Sequence, residues 1–104
     1  AGGKMSRTAL HAASSSGRAE VVEVLCMDFG AKIDVVDAAG RPPIWDAARH
    51  GHLEVVQFLV DAGAKVDTPD LAGNTPTHMA VKNGHNIVVQ VLVDAGADLL
   101  CVNS

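Results

Sequence analysis

The chain has 104 residues, of which 48% are hydrophobic, so it is large enough for one small domain with an apolar core. Its formal net charge of −4 argues against a dedicated binder of nucleic acid or of anionic membranes, because both need a basic surface. The two cysteines form no C-x-x-C pair, which indicates neither a disulfide framework nor a zinc site and is typical of a reducing intracellular compartment, cytoplasmic or nuclear.

Three similar segments follow one another along the chain, and each predicts a short helix, a glycine turn and a second helix. The first-helix segments are residues 8–13, 42–47 and 75–80, and the second-helix segments are 19–25, 53–59 and 86–92. The second-helix segments share a Val-Val-x-x-Leu core in register. Glycines recur at a spacing of 33 or 34 residues, at 17, 51 and 84 and again at 30, 63 and 96. Such a period indicates a repeat architecture.

The third segment shows most clearly why each unit begins with a helix. Thr75 can cap the helix with its hydroxyl, and Pro76 suits the first helical position, where its missing N–H is not needed. Gly84 stands where that helix must end in a left-handed residue, and the chain then turns into the second helix.

The second helix of each unit has an apolar stripe. Val55, Val56 and Leu59 fall on one side, and the polar residues Glu54, Gln57 and Asp61 are left for the outer side. Read alone, such a valine-rich run favours a strand, but the period and the flanking glycines favour a helix. Residues 37–40 and 70–73 have the Asp and Gly of tight turns, which predicts turn tips between the units.

These segments resemble the T-P-L-H-x-A and G-H-x-E-V-V-x-x-L-L-x-x-G-A-D signatures of ankyrin repeats. The resemblance implies an all-α solenoid of three stacked helix-turn-helix units with turn or hairpin loops between them, in a single domain covering 1–104. We place the repeats at about 4–36, 37–69 and 70–102. Neither end resembles a polar cap, so we expect a fragment of a longer protein, or a monomer that self-associates weakly through its ends.

Two units depart from the common pattern. In the middle unit, Pro42 stands in place of the capping Thr and Trp45 in place of the signature His. Trp45 either fills space at a contact between units or is partly exposed as a binding anchor. In the first unit, one additional residue precedes Gly30, which predicts that its second helix bulges or continues slightly.

The resemblance implies that a partner protein binds to the turn tips and to the exposed face of the first helices, which together line a concave surface. The tip positions also include Lys4, Met5, Ala38 and Ala72. The predicted partner-binding residues are Arg7, Ser15, Ser16, Ala39, Arg41, Trp45, Asp46, Arg49, His50, Leu71, Asn74, Lys82 and Asn83.

Basic residues concentrate on this predicted surface although the chain is acidic overall. They are Arg7, Arg41, Arg49 and Lys82, whereas Glu20, Glu23, Glu54 and Asp61 belong to the second-helix segments. Arginine is suited to bidentate contacts with carboxylates, so we expect a protein partner that presents acidic groups. Taken one at a time, these residues are equally compatible with an ordinary solvated surface.

The histidines do not indicate an enzyme. His11 and His78 occupy the signature position, which in the family bonds to neighbouring turns, and His52 and His85 follow the glycine that ends the first helix. His50 forms only an H-x-H pair, a weak metal signal without a third ligand. No H-E-x-x-H, P-loop or G-x-S-x-G motif occurs. We therefore predict no catalytic residue, no metal and no cofactor.

Two alternatives to a general protein-binding module remain. Residues 46–54 are similar to a D-A-A-R-x-G-x-L-D/E stretch of ankyrin-repeat inhibitors of cyclin-dependent kinases, although the shortened first helix of those inhibitors is not found. The repeats could instead form a structural spacer in a long array, with no partner of their own.

Overall fold

A computed structural model describes residues 8–28, 30 and 32–96, and the described residues form helices and turns without a strand. The helices are α1 (Ala9–Ser15), α2 (Ala19–Met27), α3 (Pro43–His50), α4 (Leu53–Asp61), α5 (Pro76–Lys82) and α6 (Asn86–Asp94). Helix α3 packs between α1 and α5 in one layer, and α4 packs between α2 and α6 in a second. The predicted all-α arrangement of three stacked helix pairs is confirmed.

The first helices begin as the sequence predicts. The Thr75 hydroxyl accepts a hydrogen bond from the His78 backbone N–H at 3.1 Å, and Pro76 is the first residue of α5. Thr8 caps α1 in the same way and forms a capping box with His11, whose Nδ1 accepts from the Thr8 backbone N–H at 3.1 Å. Helix α3 starts after Pro42 with no side-chain cap, because proline has no hydroxyl.

A glycine with a left-handed backbone follows each first helix, directly after the last residue of α3 and two residues after the last residue of α1 and of α5. The φ angles of Gly17, Gly51 and Gly84 are 74°, 73° and 75°, values that residues with a Cβ adopt only with strain. The predicted turn at these glycines is confirmed, since a second helix begins two residues after each of them and packs against the first helix.

The apolar stripes of the second helices form the core between the units. Val55, Val56 and Leu59 of α4 are fully buried, as are Val22 of α2 and Leu92 of α6. The predicted outer residues of α4 are exposed, namely Glu54, Gln57 and Asp61. A valine-rich segment therefore forms a helix here, because one side of it is hidden by neighbouring helices.

The prediction for the end of α2 is wrong. This helix has nine residues, as do α4 and α6, and it ends at Met27 with the Asp28 backbone N–H bonded to the Val24 carbonyl at 2.9 Å. The additional residue therefore follows the helix, in the segment before Gly30 that contains Phe29, a residue outside the described part.

The turn tips have the geometry that their Asp and Gly residues predict. The Asp70 carboxylate accepts hydrogen bonds from the backbone N–H groups of Ala72 and Asn74, each at 2.9 Å. In the preceding tip, Asp37 accepts from Ala39 at 2.9 Å and Arg41 at 3.0 Å. Successive tips are joined to each other, since the Leu71 N–H donates to the Ala39 carbonyl at 2.9 Å.

Candidate protein-binding surface

Most of the predicted partner-binding residues are accessible along the stacked tips and first helices. Ser16, Arg49, His50, Leu71, Lys82 and Asn83 are exposed, and Ser15, Ala39, Arg41 and Asn74 are partly exposed. The tip residues Ala38 and Ala72 are exposed as well. Lys4, Met5 and Arg7 lie outside the described residues.

Trp45 and Asp46 are buried, which corrects their place in the predicted surface. Trp45 is 5% exposed, and its Nε1–H donates to the Asn74 carbonyl oxygen at 3.1 Å. The guanidinium groups of Arg41 and Arg49 lie 5.1 and 5.9 Å from the centre of the Trp45 ring. Asp46 is 3% exposed. The interpretation of Trp45 as a partly exposed anchor is wrong, and its alternative, a space-filling contact between units, is confirmed.

Trp45 reaches the following turn in the same way as the signature histidine of the first unit. His11 Nε2 lies 2.7 Å from the Arg41 carbonyl oxygen, the counterpart of the Asn74 oxygen one unit earlier. Because His11 Nδ1 accepts from the Thr8 N–H, Nε2 carries the proton and donates. The expected bond to a neighbouring turn is thus confirmed for His11. In the described part of the chain, His78 forms no such bond to a following turn. Its Nδ1, the atom that in His11 accepts from the capping Thr8 N–H, is buried without a partner.

His52 and His85 join each second helix to the preceding unit. His52 Nε2 lies 3.0 Å from the Ser15 carbonyl oxygen, and His85 Nε2 lies 3.0 Å from that of Arg49. Their rings cover Gly17 and Gly51, where a Cβ atom would come within 2.6 and 2.5 Å of the imidazole Nδ1. The structural interpretation of these two histidines is confirmed.

His50 is exposed near the basic end of α3. Partial burial is the main cause that lowers its pKa, and the positive charges of Arg49 and of His52 lower it further, against an opposing effect of Asp46. Its ring centre is 6.0 Å from that of His52, whose Nε2 is already bonded. No group of three or more metal-binding side chains occurs among residues 8–28, 30 and 32–96.

The exposed charges separate between the two layers of helices. Arg49 at the end of α3 and Lys82 at the end of α5 are exposed and form no ion pair among the described residues. Arg41 is partly exposed, and its Nε donates to the Asp37 carboxylate at 3.0 Å. The predicted acidic residues of the other layer are exposed on α2 and α4, namely Glu20, Glu23, Glu54 and Asp61.

Cys26 is a partly buried free thiol, and burial raises its pKa, so it is a weak nucleophile near neutral pH. Cys101 lies outside the described residues. Within the described part of the chain, no helix combines the length and apolar character required to cross a membrane.

Helix pairs that repeat every 33 or 34 residues, stack in two layers and bond to each other through equivalent atoms define a helical repeat protein. The sequence profile described as ankyrin repeats, in three copies, matches residues 10–103, and the chain therefore belongs to the ankyrin-repeat family. Ankyrin repeats are generally protein–protein interaction modules and are generally not enzymes.

A segment of this chain is similar to mouse Rabankyrin-5. The identity is 41% over 54 residues, which cover 52% of this chain and 4% of Rabankyrin-5. The matched segment is thus a small part of the length of that curated relative.

Proposed function

We propose that this chain binds a protein partner through the concave surface formed by the turn tips and the exposed face of α1, α3 and α5, and that the partner presents acidic groups. The observation that carries the proposal is the separation of charge: the cations Arg41, Arg49 and Lys82, called here the basic row, lie on this surface. Exposed carboxylates lie on the other layer. Such a surface attracts a negatively charged partner and repels a positively charged one.

The basic row is held in place by the fold. Arg49 and Lys82 occupy equivalent positions in consecutive units, at the carboxyl ends of α3 and α5, where the helix dipole favours a positive charge. The contact between the Arg49 guanidinium and the Trp45 ring limits the conformations of this long side chain. Restricting it before binding reduces the entropy lost when a carboxylate is bound.

The neighbouring tips add an apolar contact to this basic row. Leu71 is 80% exposed at the tip of the third unit, next to Ala72 in the same turn. A partner that places an acidic group over Lys82 and an apolar side chain on Leu71 would use both features. We therefore propose a partner segment in which acidic and apolar residues are combined.

Several narrower expectations stay proposals. We infer a single domain with repeats at about 4–36, 37–69 and 70–102, an intracellular location and no catalytic activity. The spacer hypothesis has no specific observation in its favour. The same is true of the kinase-inhibitor hypothesis, because α3 has eight residues and α1 and α5 have seven, so the middle unit has no shortened first helix.

The test compares partner capture by two variants with the same change in net charge. Proteins captured by the natural chain are identified by mass spectrometry. The affinity of a captured protein is then measured for the natural chain and for the Arg49→Glu/Lys82→Glu variant. The control is Lys32→Glu/Lys65→Glu, which reverses two exposed cations outside the basic row. We expect the first variant to bind at least about tenfold more weakly, with a loss that grows at low salt, and the control to bind almost normally.

The control should keep the melting temperature of the natural chain, because exposed substitutions usually change stability by no more than about 0.5 kcal/mol. Arg49→Glu/Lys82→Glu should lose about 0.3–1 kcal/mol at each site, because the dipoles of α3 and α5 favour a positive charge there. Binding is therefore measured well below the melting temperature of either variant. Equal weakening by the two variants would show that total charge, not the basic row, governs binding. Unchanged capture by Arg49→Glu/Lys82→Glu would show that the partner binds elsewhere.

A further inference from the structure

Asn83 is the one asparagine of this chain that is followed by glycine. The other three asparagines precede threonine, isoleucine or serine. Because glycine has no side chain to shield its backbone nitrogen, the nitrogen of Gly84 can approach the Cγ atom of the preceding amide. Such a pair is the one most prone to lose ammonia without an enzyme. Asn83 and Gly84 are therefore a candidate site of chemical modification.

This site is specific to the third unit. Ser16 and His50 occupy the corresponding position in the first two units, and neither side chain carries an amide. Asn83 is exposed, so water reaches its side chain. It directly follows Lys82, a member of the basic row. A change of charge at Asn83 would therefore fall within the surface proposed to bind the partner.

The folded conformation keeps the amide apart from the nitrogen that would attack it. The reaction closes a five-membered ring, in which the Gly84 nitrogen lies on the same side as the Asn83 Cβ. The ψ angle of Asn83 is 7°, so the Gly84 nitrogen instead eclipses the backbone nitrogen of Asn83. The Asn83 Nδ2–H donates to the Met79 carbonyl oxygen at 2.8 Å, and the Gly84 N–H donates to that of Val81 at 3.1 Å. Ring closure therefore requires that the end of α5 opens first.

We propose that Asn83 is a site of spontaneous deamidation, that opening of the end of α5 sets its rate, and that the product weakens the basic row. While the helix end is open, the Gly84 nitrogen attacks the Asn83 Cγ, the bond from Cγ to Nδ2 breaks, and ammonia leaves. One water molecule then opens the succinimide ring and gives aspartate or isoaspartate. Together these steps exchange a neutral amide for a carboxylate and involve no oxidation or reduction.

The product fits the closed helix end less well than asparagine does. A carboxylate cannot donate a hydrogen bond to the Met79 carbonyl, and the carboxyl end of a helix disfavours a negative charge. Isoaspartate also lengthens the backbone of the turn by one carbon. Because closing the helix end does not restore the amide, a chain that has reacted keeps a carboxylate beside Lys82. The effect on binding rests on the proposed function, since it requires an acidic partner at the basic row.

The first experiment measures the rate of deamidation by peptide mapping with tandem mass spectrometry, in native buffer and in urea at the same pH. In urea we expect Asn83 to react faster than Asn74 and Asn86, which no glycine follows. In native buffer Asn83 should react at least about tenfold more slowly than in urea, because only the open fraction reacts. Thr75→Ala removes the side-chain cap of α5 and should raise the native rate about fivefold, with no change in urea.

Three results of this experiment would overturn the proposal. The first is a rate for Asn83 in urea that is no faster than the rates of Asn74 and Asn86. The second is an equal rate for Asn83 in native buffer and in urea, since the fold would then give no protection. The third is a native rate that Thr75→Ala leaves unchanged, since ring closure would then not depend on opening of α5.

The second experiment tests the consequence with two variants. Asn83→Asp mimics the product, and Asn83→Ser is the matched control, which places there the residue type of the first unit. Both variants lack the amide, so the difference between them isolates the charge. We expect Asn83→Asp to melt about 2–6 °C below Asn83→Ser. It should also bind a poly-L-aspartate probe at least about twofold more weakly than Asn83→Ser at low salt.

Equal binding of the probe by the two variants would overturn the proposed weakening of the basic row. Failure of the natural chain itself to bind the probe would contradict the proposed function, and with it the loss of binding on deamidation. The rates of deamidation do not depend on a partner, so the two failures are distinguishable.

Discussion

Replacing Gly51 by alanine tests whether the histidine of each second helix packs on the glycine turn of the preceding unit. Two costs are expected. The φ angle of 73° is strained for any residue with a Cβ, at about 1–2 kcal/mol. The new Cβ would also come within 2.5 Å of His85 Nδ1, so the ring must move away from its bond to the Arg49 carbonyl.

The second cost can be isolated with Gly84→Ala. Gly84 has a φ angle of 75°, but a Cβ there meets nothing within 4 Å, so only the backbone strain applies. The gain from a less flexible unfolded chain is common to both alanine variants. Losing the His85 bond and its packing should cost about 1 kcal/mol or more. Gly51→Ala should therefore destabilise the chain by at least about 1 kcal/mol more than Gly84→Ala.

Urea denaturation followed by far-ultraviolet circular dichroism gives the free energies of unfolding. Gly51→Ala is also measured in a His85→Ala background, where no ring opposes the Cβ. There its cost should fall to that of backbone strain alone, about 1–2 kcal/mol. If Gly51→Ala costs the same with and without the His85 ring, the ring does not pack on this turn as described, and the reasoning fails.

Three further predictions concern Trp45, His50 and Leu59. Trp45→Phe should lower stability by about 1–3 kcal/mol in thermal denaturation, because it leaves the Asn74 carbonyl without its donor; no loss would contradict the role of that bond. An NMR titration should give His50 a pKa below the ordinary value of about 6.5. Because a lowered pKa means that the unfolded chain binds this proton more readily than the folded chain, the small contribution of His50 to the free energy of unfolding should diminish as the pH falls below about 6.5. Leu59→Ala should cost about 2–5 kcal/mol in urea denaturation, whereas the exposed control Gln57→Ala should cost no more than about 0.5 kcal/mol.

The fold could be predicted because local chemistry and periodicity agree. Thr75 and Pro76 specify a helix start, Gly84 specifies its end, and the same order of residue types occurs three times. The buried side of α4 also followed from the spacing of its apolar residues. These features depend on neighbours in the sequence or on a fixed repeat, both of which can be read from a single chain.

The environment of Trp45 could not be read in this way. Its position suggested both burial and exposure, and the choice depends on the Asn74 carbonyl, 29 residues further along the chain. Asp46 was placed on the surface for a similar reason, although the stacked helices bury it. The single signal available was that Trp45 replaces a histidine that donates a ring N–H, a capacity that the two side chains share.

The segment after α2 shows a second limit of prediction from the sequence alone. One additional residue before Gly30 can lengthen a helix or a loop, and the spacing of glycines does not distinguish these outcomes. In the structure α2 has nine residues, as α4 and α6 have, so the additional residue lengthens the segment between α2 and Gly30.

Because Trp45 is bonded to the third unit, its intrinsic fluorescence reports on whether the second and third units are in contact. Trp45 is the one tryptophan of the sequence, and its indole is enclosed at the junction of the second and third units. If the third unit separates from the second while the rest stays folded, water reaches the indole and its emission shifts to longer wavelength before the helical signal disappears. The order of these two signals would show whether the repeats unfold one after another from the third unit or together in a two-state transition.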